Sequence, residues 1–148
     1  MGLHLDHLPA SVTRIGDRAF CMAGDRITIK EIPNSVTHIG TQAFMACGNV
    51  SVNHFGGENS ALQQVGFQAF RSANTIAADV TEITINTGVV LKTGSDGTAY
   101  NTFGLGYPSV TSLRIGVGCE NKYGDDTSAL VADLFESTGR NITVSNLT

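Results

Sequence analysis

The sequence has little of what several functional classes require. It contains no tryptophan and three prolines, and charged residues occupy only 15% of its 148 positions. With a formal net charge of −4 there is no basic field to attract phosphates, so nucleic acid is excluded as an expected partner. The apolar runs span a few residues, against roughly 20 for a bilayer-crossing helix, so no membrane span is expected. The leading residues, Met1 to Leu8, do not resemble a signal peptide or an anchor.

Cysteine is equally scarce. Cys21, Cys47 and Cys119 are an odd number at wide spacings, with no Cys-x-x-Cys pair among them. This pattern argues against both a disulfide framework and a zinc site. We predict three buried free thiols.

What the sequence does contain is 17 glycines, many Thr, Ser and Asn residues, and a repeat. The pattern Ser-Val-Thr-x-Ile-Gly-x-x-Ala-Phe at residues 11–20 recurs 24 positions later at residues 35–44, and a weaker copy occupies 61–70. Self-similarity at such a period is the signature of a solenoid, because one short repeat cannot bury its own apolar face.

A second element recurs between these blocks, in which two aliphatic residues flank one polar residue. Each occurrence predicts a short, half-buried strand. The five occurrences are Ile27-Thr28-Ile29, Val50-Ser51-Val52, Ile83-Thr84-Ile85, Leu113-Arg114-Ile115 and Ile142-Thr143-Val144. A phenylalanine precedes each strand, in order Phe20, Phe44, Phe70, Phe103 and Phe135. We therefore expect about five turns, with the phenylalanines filling one core position.

These residues resemble the BspA-like leucine-rich repeats, whose unit reads Leu-Pro-x-Ser-Val-Thr-x-Ile-Gly-x-x-Ala-Phe-x-x-Cys, followed by Leu-x-x-Ile-x-Ile. The specific motif covers residues 8–70, with Cys47 at the cysteine position, whereas Ala23 and Ala73 replace cysteine elsewhere. Small apolar replacements favour packing over chemistry for that cysteine.

The resemblance implies an α/β repeat fold, a right-handed leucine-rich-repeat solenoid with short parallel strands and turns or short helices opposite. We predict a single domain, 1–148, whose turns cover approximately 8–29, 30–52, 61–85, 86–115 and 116–144.

Several positions of this solenoid have specific expectations. Ile15, Ile39 and Val65 should share one buried row, and the glycine after each should need either a positive φ or the absence of a side chain. The Gly-x-x-Ala-Phe block is not recognisable before Phe103, and residues 87–100 read as an inserted loop. Residues 129–135 predict a helix in the last turn.

Chemistry-bearing residues are present but not arranged for a reaction. His4 and His7 lack a third metal ligand, and Asp125 and Asp126 suit a helix cap better than a calcium loop. His38 occupies a variable position that is expected to face solvent. No phosphate-binding glycine loop or nucleophile elbow is present. We therefore predict no enzyme activity, no cofactor and no metal.

The strands predict a binding surface instead, since the middle residue of each should point outward. Stacked turns would align an exposed ladder, with two asparagines beside it. The ladder is Thr28, Ser51, Thr84, Arg114 and Thr143, and the asparagines are Asn53 and Asn86. Because Thr and Ser are also ordinary residues for exposed strand positions, the sequence leaves a purely structural role open.

The resemblance implies a non-enzymatic, adhesin-like module at the bacterial cell surface or secreted, with a protein or glycan partner. The alternative is a structural assembly component, such as a virion or surface-layer protein, that forms homo-oligomers through the open ends of the solenoid.

Overall fold

The computed structural model describes residues 5–71, 79–92, 94, 100–104, 106–116, 127–135 and 140–146. The elements are short strands, with one helix near the end of the described chain. In order they are β1 (Arg14–Ile15), β2 (Gly24–Ile29), β3 (His38–Ile39), β4 (Cys47–Val50), β5 (His54–Phe55), β6 (Gln64–Val65), β7 (Glu82–Ile85), β8 (Val90–Leu91), β9 (Ser112–Ile115), α1 (Thr127–Phe135) and β10 (Thr143–Asn146).

The strands form stacked parallel ladders. One four-stranded sheet has the order β1-β3-β6-β8, a second has the order β10-β9-β7-β5, and β2 pairs with β4. Every pairing is parallel, and neighbouring strands come from different turns of the chain. This arrangement confirms the predicted repeat solenoid.

The first sheet contains the predicted buried row, extended by one residue. The row consists of Ile15, Ile39, Val65 and Leu91, none of which is more than 3% exposed. Leu91 corrects the sequence-based assignment of residues 87–100 to an inserted loop, because Val90 and Leu91 pair with Gln64 and Val65. Two residues are enough to continue the ladder, and so short a strand has no periodicity to detect.

The five predicted phenylalanines form a continuous column inside the solenoid. Successive ring centroids lie 5.3, 5.2, 6.3 and 5.3 Å apart, and neighbouring planes differ by at most 27°. Phe55, which precedes none of the predicted strands, joins this column with an edge contact to Phe70 at 5.3 Å. The column therefore connects the first turn to α1.

The turns before the phenylalanines stack through their backbones. Arg18, Gln42, Gln68 and Asn101 occupy equivalent positions with φ between 45° and 57°. The residue after Gln42, Gln68 and Asn101 is Ala43, Ala69 and Thr102, respectively. Its carbonyl oxygen accepts a hydrogen bond from the backbone N–H of the phenylalanine in the preceding turn. These bonds run from Phe20 N to Ala43 O, from Phe44 N to Ala69 O and from Phe70 N to Thr102 O, at 2.7 to 2.8 Å.

Thr102 therefore occupies the alanine position of the repeat, and the turn geometry persists before Phe103. The sequence comparison missed this equivalence because neither the glycine nor the alanine of the motif is retained there. The position keeps two features of the alanine: a carbonyl oxygen that accepts from Phe70 N, and a buried side chain, since Thr102 is only 2% exposed.

Close stacking explains two of the repeated glycines. A Cβ on Gly40 would lie 2.6 Å from Asp17 N, and one on Gly66 would lie 2.6 Å from both Gly40 C and Thr41 N. Neither glycine has a positive φ. Of the two reasons predicted for these glycines, the absence of a side chain is therefore the one that applies.

The predicted helix is confirmed as α1, and its last residues pack against the turn that contains Phe103. Phe103 N and Gly104 N both donate to Leu134 O, which satisfies a carbonyl that the helix end leaves unpaired. The Arg140 guanidinium lies 4.5 Å from the centre of the Phe135 ring and donates to Tyr107 O at 2.5 Å. Burial lowers the pKa of Arg140. The cap proposed from Asp125 and Asp126 lies outside the described residues.

Candidate binding surface

The sheet β5-β7-β9-β10 presents two aligned rows of polar side chains, which we call the outer face. Side chains alternate along each strand, so Ile83, Leu113 and their neighbours fill the core while every second residue points out. One row is His54, Thr84, Arg114 and Ser145, and the other is Glu82, Ser112 and Thr143.

The predicted ladder is only partly correct. Thr84 and Arg114 are register partners, as expected, but Ser145 rather than Thr143 lies opposite Arg114. Thr143 instead lies opposite Ser112. The error arises because β10 begins at Thr143, whereas the predicted strand was residues 142–144. The residue opposite Arg114 is therefore two positions later in the sequence than predicted.

At the other end of the ladder, the predicted alignment of Thr28 and Ser51 with Thr84 is wrong. Thr28 pairs with Asn49 in the separate β2-β4 sheet, while His54 lies opposite Thr84. The register shifts between Gly24 and Thr28, and β4 ends at Val50. The chain then starts a new strand at His54, which a pattern of alternating apolar residues could not locate.

Exposure also differs from the prediction at one central position. Thr84 is only 8% exposed, whereas Arg114 is exposed. His54 and Arg114 flank Thr84 on adjacent strands, and strands lie about 4.8 Å apart, so the short threonine is recessed between two longer side chains.

The predicted asparagines hold the edge of this face together. Asn86 Nδ2 donates to Phe55 O and to His54 Nε2, both at 3.1 Å. Asn53 Nδ2 donates to Glu82 O at 3.1 Å, and the Ser112 hydroxyl donates to Glu82 Oε2 at 3.0 Å. Because the Asn86 amide is a donor, His54 Nε2 is the acceptor and the ring proton is assigned to Nδ1.

A groove of about 650 Å³ adjoins the outer face at His54 and Glu82. Its walls carry three carboxylates and one ammonium group, and its floor includes the buried Leu62 and Val80. Two predicted site residues, Ser51 and Asn53, line it. Thr28 lines a second groove of about 640 Å³, which shares Lys30, Glu31 and Asn34 with the first.

The titratable residues are not grouped for catalysis in the part of the chain that the structure describes. The ring nitrogens of His38 and His54 approach Thr37 and Asn86, respectively, and neither forms an ion pair with a carboxylate of the described residues. No cluster of three metal-binding side chains occurs among these residues. His7, which is exposed, pairs with its neighbour Asp6, while His4 and Cys119 lie outside the described residues.

The thiol of Cys47 is held in the core. Its Sγ donates to Phe20 O at 3.0 Å, and burial raises its pKa to about 11. A thiol with so high a pKa is a poor nucleophile near neutral pH, which supports a packing role. Cys21, which is half-buried, is the second free cysteine in the described chain.

Among the described residues, no helix has both the length and the apolar character that crossing a membrane requires.

Comparison with protein families matches six copies of the BspA type leucine-rich repeat region over residues 3–93, more than half of the chain. Comparisons with curated proteins and with solved structures give no match. Repeats of this family form protein-interaction modules, are typically non-enzymatic and are generally surface-associated. The chain belongs to the BspA-type leucine-rich repeat family.

Proposed function

We propose that this protein is an adhesin-like binding module, on the bacterial cell surface or secreted, and that the outer face contacts a partner protein. The observation that carries this proposal is the alignment of outward side chains from four strands in two rows. Sheet hydrogen bonds and the buried residues beneath fix these side chains before a partner arrives, which lowers the ordering cost of binding.

The shape and chemistry of the surface support a macromolecular partner. Four strands at a spacing of about 4.8 Å form a shallow surface rather than a deep apolar pocket. Its donors and acceptors include a guanidinium, an imidazole, a carboxylate and several hydroxyls, so it can form many weak contacts with one extended surface.

Binding of purified extracellular-matrix proteins to the immobilised chain tests this proposal. The variant carries Arg114→Glu and Thr143→Glu, two exposed positions in different rows of the outer face. Arg14→Glu is the matched control, because Arg14 is an exposed arginine on the separate β1-β3-β6-β8 sheet. We expect the double variant to lose binding and the control to retain it. Equal binding by both variants would remove the outer face as the contact surface.

Light scattering on the same samples separates adhesion from assembly. An adhesin-like module is expected to stay monodisperse as its concentration rises. Concentration-dependent growth that the double variant abolishes would contradict our proposal and identify the outer face as a self-assembly contact.

A further inference from the structure

We propose that Arg114, Thr84 and His54 form a binding site for a single carboxylate, supplied by an aspartate or glutamate side chain of the partner protein. The three residues occupy one register position on three adjacent strands, with Thr84 at the centre. The site rests on the proposed function, and it specifies the chemical group that this part of the outer face recognises.

The first argument concerns the cation. Within the described residues, the side chain of Arg114 forms no ion pair and is exposed. The neighbouring strand β7 carries one acidic residue, Glu82, which lies diagonally opposite Arg114. One oxygen of the Glu82 carboxylate already accepts a hydrogen bond from Ser112. Two other arginines are engaged within the protein, since Arg18 donates to Gln42 and Arg140 donates to three carbonyls. Arg114 is therefore available for an external acceptor.

The second argument concerns the hydroxyl beside it. Thr84 alternates with the core residues Ile83 and Ile85 along β7, so its hydroxyl-bearing side chain points to the outer face, where it is only 8% exposed. A ligand that displaces water from this recess must replace the hydrogen bonds of that water with its own. A carboxylate that pairs with the guanidinium would place an oxygen acceptor above this hydroxyl.

The third argument concerns the type of anion. A guanidinium forms two parallel hydrogen bonds with a carboxylate, and this geometry favours arginine for planar acceptors. One guanidinium supplies a single full charge, while the carboxylate of Glu82 stands in the neighbouring row. Phosphorylated or heavily sulfated partners are normally held by clusters of arginine, which this face does not have among its described residues. His54 lies opposite Thr84 on β5 and completes the row.

The experiment uses the whole chain, labelled with ¹⁵N, and three probes. The probes are the capped tripeptide Ala-Glu-Ala, its Ala-Gln-Ala counterpart and sodium sulfate at matched ionic strength. We expect the glutamate peptide to shift the Thr84 amide and the Arg114 Nε resonances, while the glutamine peptide leaves both unchanged. Sulfate is expected to bind more weakly than the glutamate peptide.

Two variants and one control complete the test. Arg114→Gln is expected to raise the dissociation constant of the glutamate peptide roughly tenfold, which corresponds to about 1.4 kcal/mol. Thr84→Val keeps the shape of the recessed side chain and should also weaken binding, whereas Arg14→Gln should leave it unchanged. Equal shifts with both peptides, an unaffected Arg114→Gln variant, or tighter binding of sulfate would each overturn the proposed site.

Failure of this site is distinguishable from failure of the proposed function. If the outer-face double variant loses the matrix protein while the glutamate peptide does not bind, the function stands and the carboxylate site does not. If the peptide binds as expected but no matrix protein is captured, the site stands without the proposed partner class.

Discussion

At Gly66, the distance between two turns of backbone determines which side chain is tolerated. A Cβ there would lie 2.6 Å from Gly40 C and from Thr41 N, and neither backbone atom can move without separating the turns. Gly16 holds the same place in the first turn, but a Cβ on it would meet nothing within 4 Å. The same residue of the motif is therefore required in one turn and replaceable in another.

We expect Gly66→Ala to destabilise the protein by about 1–3 kcal/mol, the usual effect of forcing extra atoms into a packed region. Gly16→Ala should be neutral or should stabilise by about 0.4–1 kcal/mol, because alanine restricts the unfolded chain. Urea unfolding midpoints measure both effects. A loss for Gly16→Ala as large as that for Gly66→Ala would show that backbone conformation, not close approach, selects these glycines.

Cys47 makes stability depend on pH at the alkaline end. Burial raises the pKa of its thiol from 9.0 to about 11, so the folded state holds this proton more tightly than the unfolded chain does. Its contribution is fully present below pH 9 and is lost as the pH rises toward 11.

Comparing urea midpoints at pH 8 and pH 10 tests this contribution. We expect the parent chain to lose more stability over this interval than the Cys47→Ala variant, whose other titrating groups are the same. Alanine fits the position, as Ala23 shows at the corresponding place in the first turn. An identical loss in both proteins would mean that the thiol keeps the same pKa when the chain unfolds.

On the scale of structural elements, the phenylalanine column connects successive turns of the solenoid and α1. Phe44 is fully buried, with ring centroids 5.3 Å from Phe20 and 5.2 Å from Phe70. Phe20 begins the column and is only half-buried. An inner ring thus contacts a neighbour on both sides, while the first described ring contacts one.

Phe44→Ala should cost about 3–5 kcal/mol, since it leaves a cavity in a region that cannot collapse without shifting two turns. Phe20→Ala should cost less, because the ring is already half in solvent. Denaturant unfolding gives both values, and Phe44→Leu provides a milder change if the alanine variant does not fold. Equal losses at the two positions would contradict a column in which neighbours on both sides stabilise each ring.

For the whole molecule, stacking of similar turns predicts a gradient of local stability. Each turn contacts only its neighbours, so a turn with one neighbour opens more easily than one with two. Arg18 N and Phe20 N donate from the first turn to the second, whereas Gln42 N and Phe44 N donate from the second turn to the third.

Hydrogen exchange measured by NMR should therefore be slower for the Gln42 and Phe44 amides than for those of Arg18 and Phe20. A protection difference of tenfold would correspond to about 1.4 kcal/mol of local opening free energy. Uniform protection across these four amides would indicate that the solenoid opens as one cooperative unit.

The column of phenylalanines, the buried row of Ile15, Ile39 and Val65, and helix α1 could all be predicted from the sequence. Each depends on a local pattern of residue types, and stacking of the turns brings the phenylalanines together although their spacing in the sequence varies. The matched family confirms this reading of the repeat.

The outer face was harder to predict, because its register depends on where each strand begins. The sequence aligned Thr84 with Arg114 correctly, since both of their turns share one pattern. It missed His54, which begins the separate strand β5, and Ser145, which lies opposite Arg114 because β10 begins late. Whether any of these residues binds a partner stays a prediction.

The sequence alone therefore determined the repeat, the apolar core positions and the family, because these follow from residue type at a fixed period. Only the tertiary structure decided which polar residues share a surface, how deeply Thr84 is recessed, and why Gly40 and Gly66 cannot carry a side chain. These features depend on distances between turns, and such distances are set when the turns pack together, not by the order of residues within one turn.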